Sequence, residues 1–195
     1  MKKGEYLTTL LRAKQTVFSS REIMLLWQET NGNAAKVRIN YYVRHGQLYR
    51  IRRGVYGKDT MYDRLECAVK IFTPSYVSFE TLLTRAGVVF QQYGQIFAAS
   101  YVNREIVTDG QTYQYKRLKD TILTNPLGIE QTGNYAIATA ERAFLDVVYL
   151  NPEYHFDNLS SLNWDIIQDM LPIYGGNKRM ERNIKKYHTL SKSNV

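Results

Sequence analysis

The sequence predicts an α+β fold, and three observations carry that expectation. Apolar residues recur at helical spacing through the first 46 residues. After Gly46 the period shortens to two around an Arg-Gly turn, and between Gln95 and Leu118 short runs rich in Ile, Val, Tyr and Thr alternate with turn residues. From Thr139 onward helical spacing returns.

The segment EYLTTLLRAK places Tyr6, Leu7, Leu10 and Leu11 on one stripe of a short helix. Ser19 followed by Glu22 is a capping-box signature, and Ile23, Leu26 and Trp27 make the face of a second helix. The turn NGN at 31–33 opens a third, with Asn33 as the expected cap and Gly46 as the stop after His45. Residues 47–58, QLYRIRRGVYGK, then read as a two-stranded hairpin turning at Arg53-Gly54. Three helices and a hairpin are the order of a winged helix-turn-helix, expected over residues 1–58.

Residues 59–195 are expected to form a mixed α/β domain with a small antiparallel sheet and C-terminal helices. Residues 62–72 carry a helical face of Leu65, Ala68, Val69 and Phe72, ended by Pro74. YVSFETLLTRAGV reads as a strand entering a helix, with Ser78 as cap and Gly87 as stop. Residues 95–102, 104–108 and 112–118 read as antiparallel strands with Asp109-Gly110 turning the last two, and 134–138 as another. Thr139 caps ERAFLDVVYL, whose Ala143, Phe144, Val147 and Val148 share a face, and LNWDIIQDML and KRMERNIKKYH supply the final helices.

Charge divides the chain the same way. The 195 residues carry a formal net charge of +8, yet residues 1–58 hold 12 Lys/Arg against 3 Asp/Glu while residues 59–195 hold 14 against 15. A basic module joined to a near-neutral one is the footprint of a polyanion binder, nucleic acid being the commonest partner. A single cysteine, Cys67, allows no internal disulfide and suits a reducing, cytoplasmic compartment. The start MKK leads into an apolar run broken by Glu5, Thr8, Thr9 and Arg12, and no stretch is apolar enough to span a membrane.

Motifs for catalysis are missing. His45, His155 and His188 lie far apart with no metal-ligand spacing, and there is no nucleophile elbow, P-loop or dinucleotide fingerprint, so neither metal nor cofactor is expected. Asp63 with Glu66, and Glu141 with Asp146, pair on helices, where acids are ordinarily solvated surface groups.

The third helix is more informative. With Ala35, Ile39, Tyr42 and Val43 inward, Lys36, Val37, Asn40, Tyr41 and Arg44 face outward and Arg38 lies at the boundary. Arg and Lys reach guanine edges or phosphates, Asn pairs with adenine, and Tyr touches phosphate or a thymine methyl. The hairpin adds Arg50, Arg52, Arg53 and Lys58, more cations than are needed to protect an edge strand from aggregation. The expected DNA-binding set is therefore Lys36, Arg38, Asn40, Tyr41, Arg44, Arg50, Arg52, Arg53 and Lys58. A second cluster, Lys178, Arg179, Arg182, Lys185 and Lys186 against Glu181, reads either as a surface helix on an acidic body or as a second DNA or RNA contact.

In several blocks in the same order the chain resembles the AbiEi family, the antitoxin half of abortive-infection toxin-antitoxin pairs in bacteria. FSSREI and VRHGQLYRIRRGVYG are similar to its winged-helix domain, and PSYVSFETLLTRAGV and NYAIATAERAFLDVVYL to its C-terminal part, covering roughly residues 15–150. The resemblance implies a cytoplasmic autorepressor that binds repeats in its own promoter as double-stranded DNA, and with catalytic motifs missing no enzymatic activity is expected of it. It also implies a C-terminal domain that counters a nucleotidyltransferase toxin, in pairs described as type IV because no stable complex is required. Two other readings stay open: a winged helix that targets a C-terminal enzymatic domain to the toxin or its RNA substrate, and a winged-helix transcription factor with no toxin.

Overall fold

Ser19 ends a strand and starts a helix. In this computed structural model, which describes residues 4–193, its hydroxyl accepts from the Glu22 N–H at 3.2 Å while the Glu22 carboxylate accepts from the Ser19 N–H at 2.8 Å. The capping box predicted there is complete.

The chain is α+β and folds into two compact units. The first comprises residues 1–73 together with Thr108–Gly110. Its elements run α1 (Glu5–Arg12), β1 (Val17–Ser19), α2 (Ser20–Leu26), α3 (Gly32–Arg44), β2 (Tyr49–Arg52), β3 (Val55–Gly57) and α4 (Arg64–Ile71). Leu10, Phe18, Ile23, Trp27, Ile39 and Tyr42 form its core, and the Trp27 indole donates to the Tyr6 carbonyl at 2.8 Å. Leu11, expected on the apolar stripe of α1, is half exposed instead.

The hairpin β2–β3 is present, with Gly54 at φ +84 in its turn and a bulge between Arg50 and Arg52. A third strand joins it: β1 pairs antiparallel with β3, giving the order β1-β3-β2. Three residues are too few to show a period, so the sequence carries no signal for this strand. Helix α3 is capped by Asn31, whose side-chain oxygen accepts from the N–H groups of Asn33 and Ala34 at 3.0 and 3.1 Å. Asn33, the expected cap, lies inside the first turn; Gly46 supplies the stop at φ +66 as predicted.

The first unit extends past the expected boundary at residue 58, because α4 packs on β1 and β3. Asp63 caps α4 by accepting from Leu65 and Glu66, and Glu66 is buried, its carboxylate accepting from the Thr16 N–H and hydroxyl at 2.8 and 2.7 Å. The change of charge at Asp59 therefore marks the end of the basic surface, not the end of the fold.

The second unit is built on a six-stranded sheet of order β6-β7-β5-β4-β9-β8. Its strands are β4 (Ser75–Val77), β5 (Gln95–Ser100), β6 (Arg104–Thr108), β7 (Gln111–Arg117), β8 (Ile129–Thr132) and β9 (Tyr135–Ala138). The sheet is mixed, not small and antiparallel as expected: β5 pairs parallel with β7 and β4 parallel with β9. β7 lies between β5 and β6 and runs alongside β5 in the same direction. The helices are α5 (Glu80–Arg85), α6 (Asp120–Leu123), α7 (Ala140–Leu150), α8 (Trp164–Met170) and α9 (Lys178–Ser193). No described helix is long and apolar enough to cross a membrane.

Between β4 and α5 the backbone takes a conformation that glycine favours, yet the residue is Phe79, fully buried at φ +56. Such a geometry costs on the order of 1–3 kcal/mol and persists only where packing enforces it. Ser78 is not the cap of α5 as expected; its hydroxyl turns inward and donates to Asp146 at 2.8 Å. Asp146 also accepts from Tyr76 and Tyr174, at 2.9 and 2.7 Å. Arg142, equally buried, donates to the Tyr76 hydroxyl and to the carbonyls of Leu127 and Ile122. Burial pushes the Asp146 carboxyl up from its ordinary value, against the pull of Arg142 and the three hydroxyls. Asp146 and Glu66 are thus internal structural groups, contrary to the expectation of solvated acids.

Candidate nucleic-acid interface

Helix α3 turns Ala35, Ile39 and Tyr42 into the core, at 1, 1 and 7% exposure. With 3.6 residues per turn, that placement forces Lys36, Val37, Asn40, Tyr41 and Arg44 outward, and all five are exposed. Val37 and Tyr41 are large hydrophobics on this face at 71 and 49% exposure.

The hairpin joins this face through one bond. The Arg50 guanidinium, exposed on β2, donates to the side-chain oxygen of Asn40. Arg53 projects from the turn and is exposed. Lys36, Asn40, Tyr41, Arg44, Arg50 and Arg53 are therefore the accessible members of the predicted set.

The other three are half-buried. Arg38 is half-buried, 3.1 Å from the Glu29 carboxylate and stacked 3.7 Å over the Tyr6 ring. Lys58 is half-buried and donates to the Ala13 carbonyl. Arg52 is half-buried, with one guanidinium nitrogen enclosed and without an acceptor among the described residues. Arg38 thus behaves as a brace between α3 and the core, which the boundary position on the helix wheel could not distinguish from a ligand contact.

One further residue lies on the same face. The exposed His45 ring packs on Tyr41 at 4.1 Å between centroids, and its Nδ1 lies 2.8 Å from the Tyr41 carbonyl. Its position four residues after Tyr41, one helical turn on, is the signal for it in the sequence. Beside this face a hollow of about 840 Å³ opens between α1 and α3, lined by Tyr6, Leu7, Val37, Arg38, Tyr41 and Tyr42. Among the described residues, no three His, Cys, Asp or Glu side chains converge as a metal site would require. The surface is thus a row of donors and cations on a helix, backed by a hairpin, with one amide able to pair with a base edge. Comparison of the sequence with known families and with curated proteins found no family model that matches it and no curated protein that matches it.

Proposed function

We propose that this chain is the DNA-binding antitoxin and autorepressor of an AbiE-like toxin-antitoxin pair, working without catalysis in the cytoplasm, with the first unit acting as a winged helix-turn-helix. The observation that carries the reading is the continuity of one surface: Lys36, Asn40, Tyr41 and Arg44 are exposed on α3, and Arg50 ties that helix to the cationic hairpin. On this reading α3 enters the major groove and presents Asn40 and Arg44 to base edges, while Arg50 and Arg53 hold phosphates and set the register. The order α1, β1, α2, α3, β2, β3 supports the winged-helix assignment. The task of countering a nucleotidyltransferase toxin falls to the second unit and is supported by the resemblance of its sequence blocks to AbiEi proteins.

A footprint of the full chain on its own promoter tests the proposal. Protection of repeated sequences, lost in the Arg44→Ala/Arg53→Ala variant, is the expected result. Absence of any protected site, or protection indifferent to those substitutions, overturns it.

A further inference from the structure

Helix α9 bears cations on one side only. Lys178, Arg179, Arg182, Lys185, Lys186 and Lys192 are all exposed, whereas Met180, Ile184 and Tyr187 are buried at 2, 0 and 8%. Among the described residues, none of the six cations forms an ion pair with an acid. The helix packs on the body through an apolar inward face, as one of the two readings of its sequence has it, and among the described residues its cations are left without ion-pair partners there.

That inward face is firmly tied. The Tyr187 hydroxyl donates to the Tyr154 carbonyl at 2.7 Å, the Asn183 amide donates to the Pro152 carbonyl at 3.1 Å, and His188 stacks on Trp164 at 4.6 Å between centroids. The cations are therefore displayed on a fixed scaffold. Lys178, Arg182, Lys185 and Lys192 follow i, i+4, i+7 and i+14 spacing, so they form one ridge about 21 Å long with neighbours roughly 4.5–10.5 Å apart along the helix axis.

We propose that this ridge is a second binding surface for the phosphate backbone of double-stranded DNA, independent of sequence and separate from α3. Three features select this partner. A membrane would need an apolar face to insert, and the apolar face of α9 is buried in the protein. A protein partner would be met by aromatic anchors, whereas lysine, four of the six cations here, is depleted from such interfaces. A single strand would need stacking platforms, and the exposed positions of α9 between Lys178 and Lys192 carry no aromatic ring except the partly exposed His188, already stacked on Trp164. The inference rests on the proposed function only in choosing DNA as the polyanion.

The test measures affinity of the full chain for a short random-sequence DNA duplex across salt concentrations, comparing wild type with the Lys178→Gln/Arg182→Gln/Lys185→Gln variant. Loss of up to three phosphate contacts flattens the plot of log affinity against log salt by about 1–3, at roughly 0.9 per phosphate. The same flattening is expected when the triple change is added to Arg44→Ala/Arg53→Ala. If those α3 and hairpin changes alter nothing while the triple variant still flattens the slope, the proposed function fails and the ridge stands. An unchanged slope in a triple variant that melts like wild type overturns the ridge. So does wild-type preference for an RNA duplex or for phosphatidylserine vesicles over the DNA duplex, if the triple change abolishes that preference.

Discussion

Arg142 and Asp146 sit one helical turn apart on α7 with guanidinium Nε 3.4 Å from carboxylate Oδ1, and neither side chain is exposed to solvent. Removing one partner of a buried pair leaves an uncompensated charge, so Arg142→Met or Asp146→Asn should each cost about 3–5 kcal/mol. An Arg142→Met/Asp146→Asn variant should cost less than the two single changes added together. Urea unfolding of the four proteins checks this, and strictly additive losses would show that the residues are not coupled.

Gly128 lies at φ +74, where an added Cβ would sit 2.5 Å from Met170 Sδ and 2.9 Å from Arg142 Cβ. At Gly133, φ +62, the same Cβ meets nothing within 4 Å. Gly133→Ala should therefore cost only the backbone strain, on the order of 1 kcal/mol, and Gly128→Ala about 1–3 kcal/mol more from the clash. Melting curves with equal losses would contradict the close approach.

Asn31, and not Asn33, satisfies the first N–H groups of α3. Asn31→Ala should cost about 1 kcal/mol, while Asn33→Ala should stay within about 0.5 kcal/mol of wild type. Denaturation midpoints reversed between the two variants would move the start of the helix.

Two acids in the first unit should respond to pH with opposite sign. Partial burial opposes the charge on Glu22, yet the Lys70 ammonium and the Ser19 N–H and hydroxyl outweigh it and hold the carboxyl below its ordinary 4.5. Its contribution is present above 4.5 and lost as pH falls through the lower folded value. Burial pushes Glu66 above 4.5 in spite of two donors from Thr16, so its contribution is present below 4.5 and lost as pH rises through the folded value. Unfolding measured from about pH 3 to about pH 7 should show a shallower acid-side loss in Glu22→Gln, and in Glu66→Gln removal of the loss just above 4.5.

Arg38 and Arg53 should part company in DNA binding. Arg38 is braced by Glu29 and Tyr6, so Arg38→Ala should lower stability and leave the salt dependence of binding nearly unchanged. Arg53→Ala should do the reverse, reducing the slope by about 0.9 with little change in melting. Gel shifts across a salt series alongside melting curves separate the two.

The elements most legible in the sequence were those whose signals are local. Ser19 with Glu22, Gly46, Gly87 and Thr139 each announce a helix end through backbone chemistry confined to a few residues. The outward face of α3 was also legible, because a helical period assigns faces once Ala35, Ile39 and Tyr42 are recognised as inward. Strand direction was not: alternation at Tyr113 and Tyr115 shows which side is buried but not that β7 runs parallel to β5. Asp146 escapes the sequence because one acid on a helix resembles a solvated one. Its neighbours held the correction, since Ala143, Phe144, Leu145, Val147 and Val148 leave no polar side on that stretch of α7.

Phe79 has a consequence for what can be substituted there. Its ring fills a fully enclosed slot while its backbone occupies the left-handed half of conformational space. Glycine would relax the chain but leave a hole the size of a phenyl group, and any other large hydrophobe would fill the hole while keeping the strain. The position is caught between two incompatible preferences, and replacement in either direction trades one defect for the other.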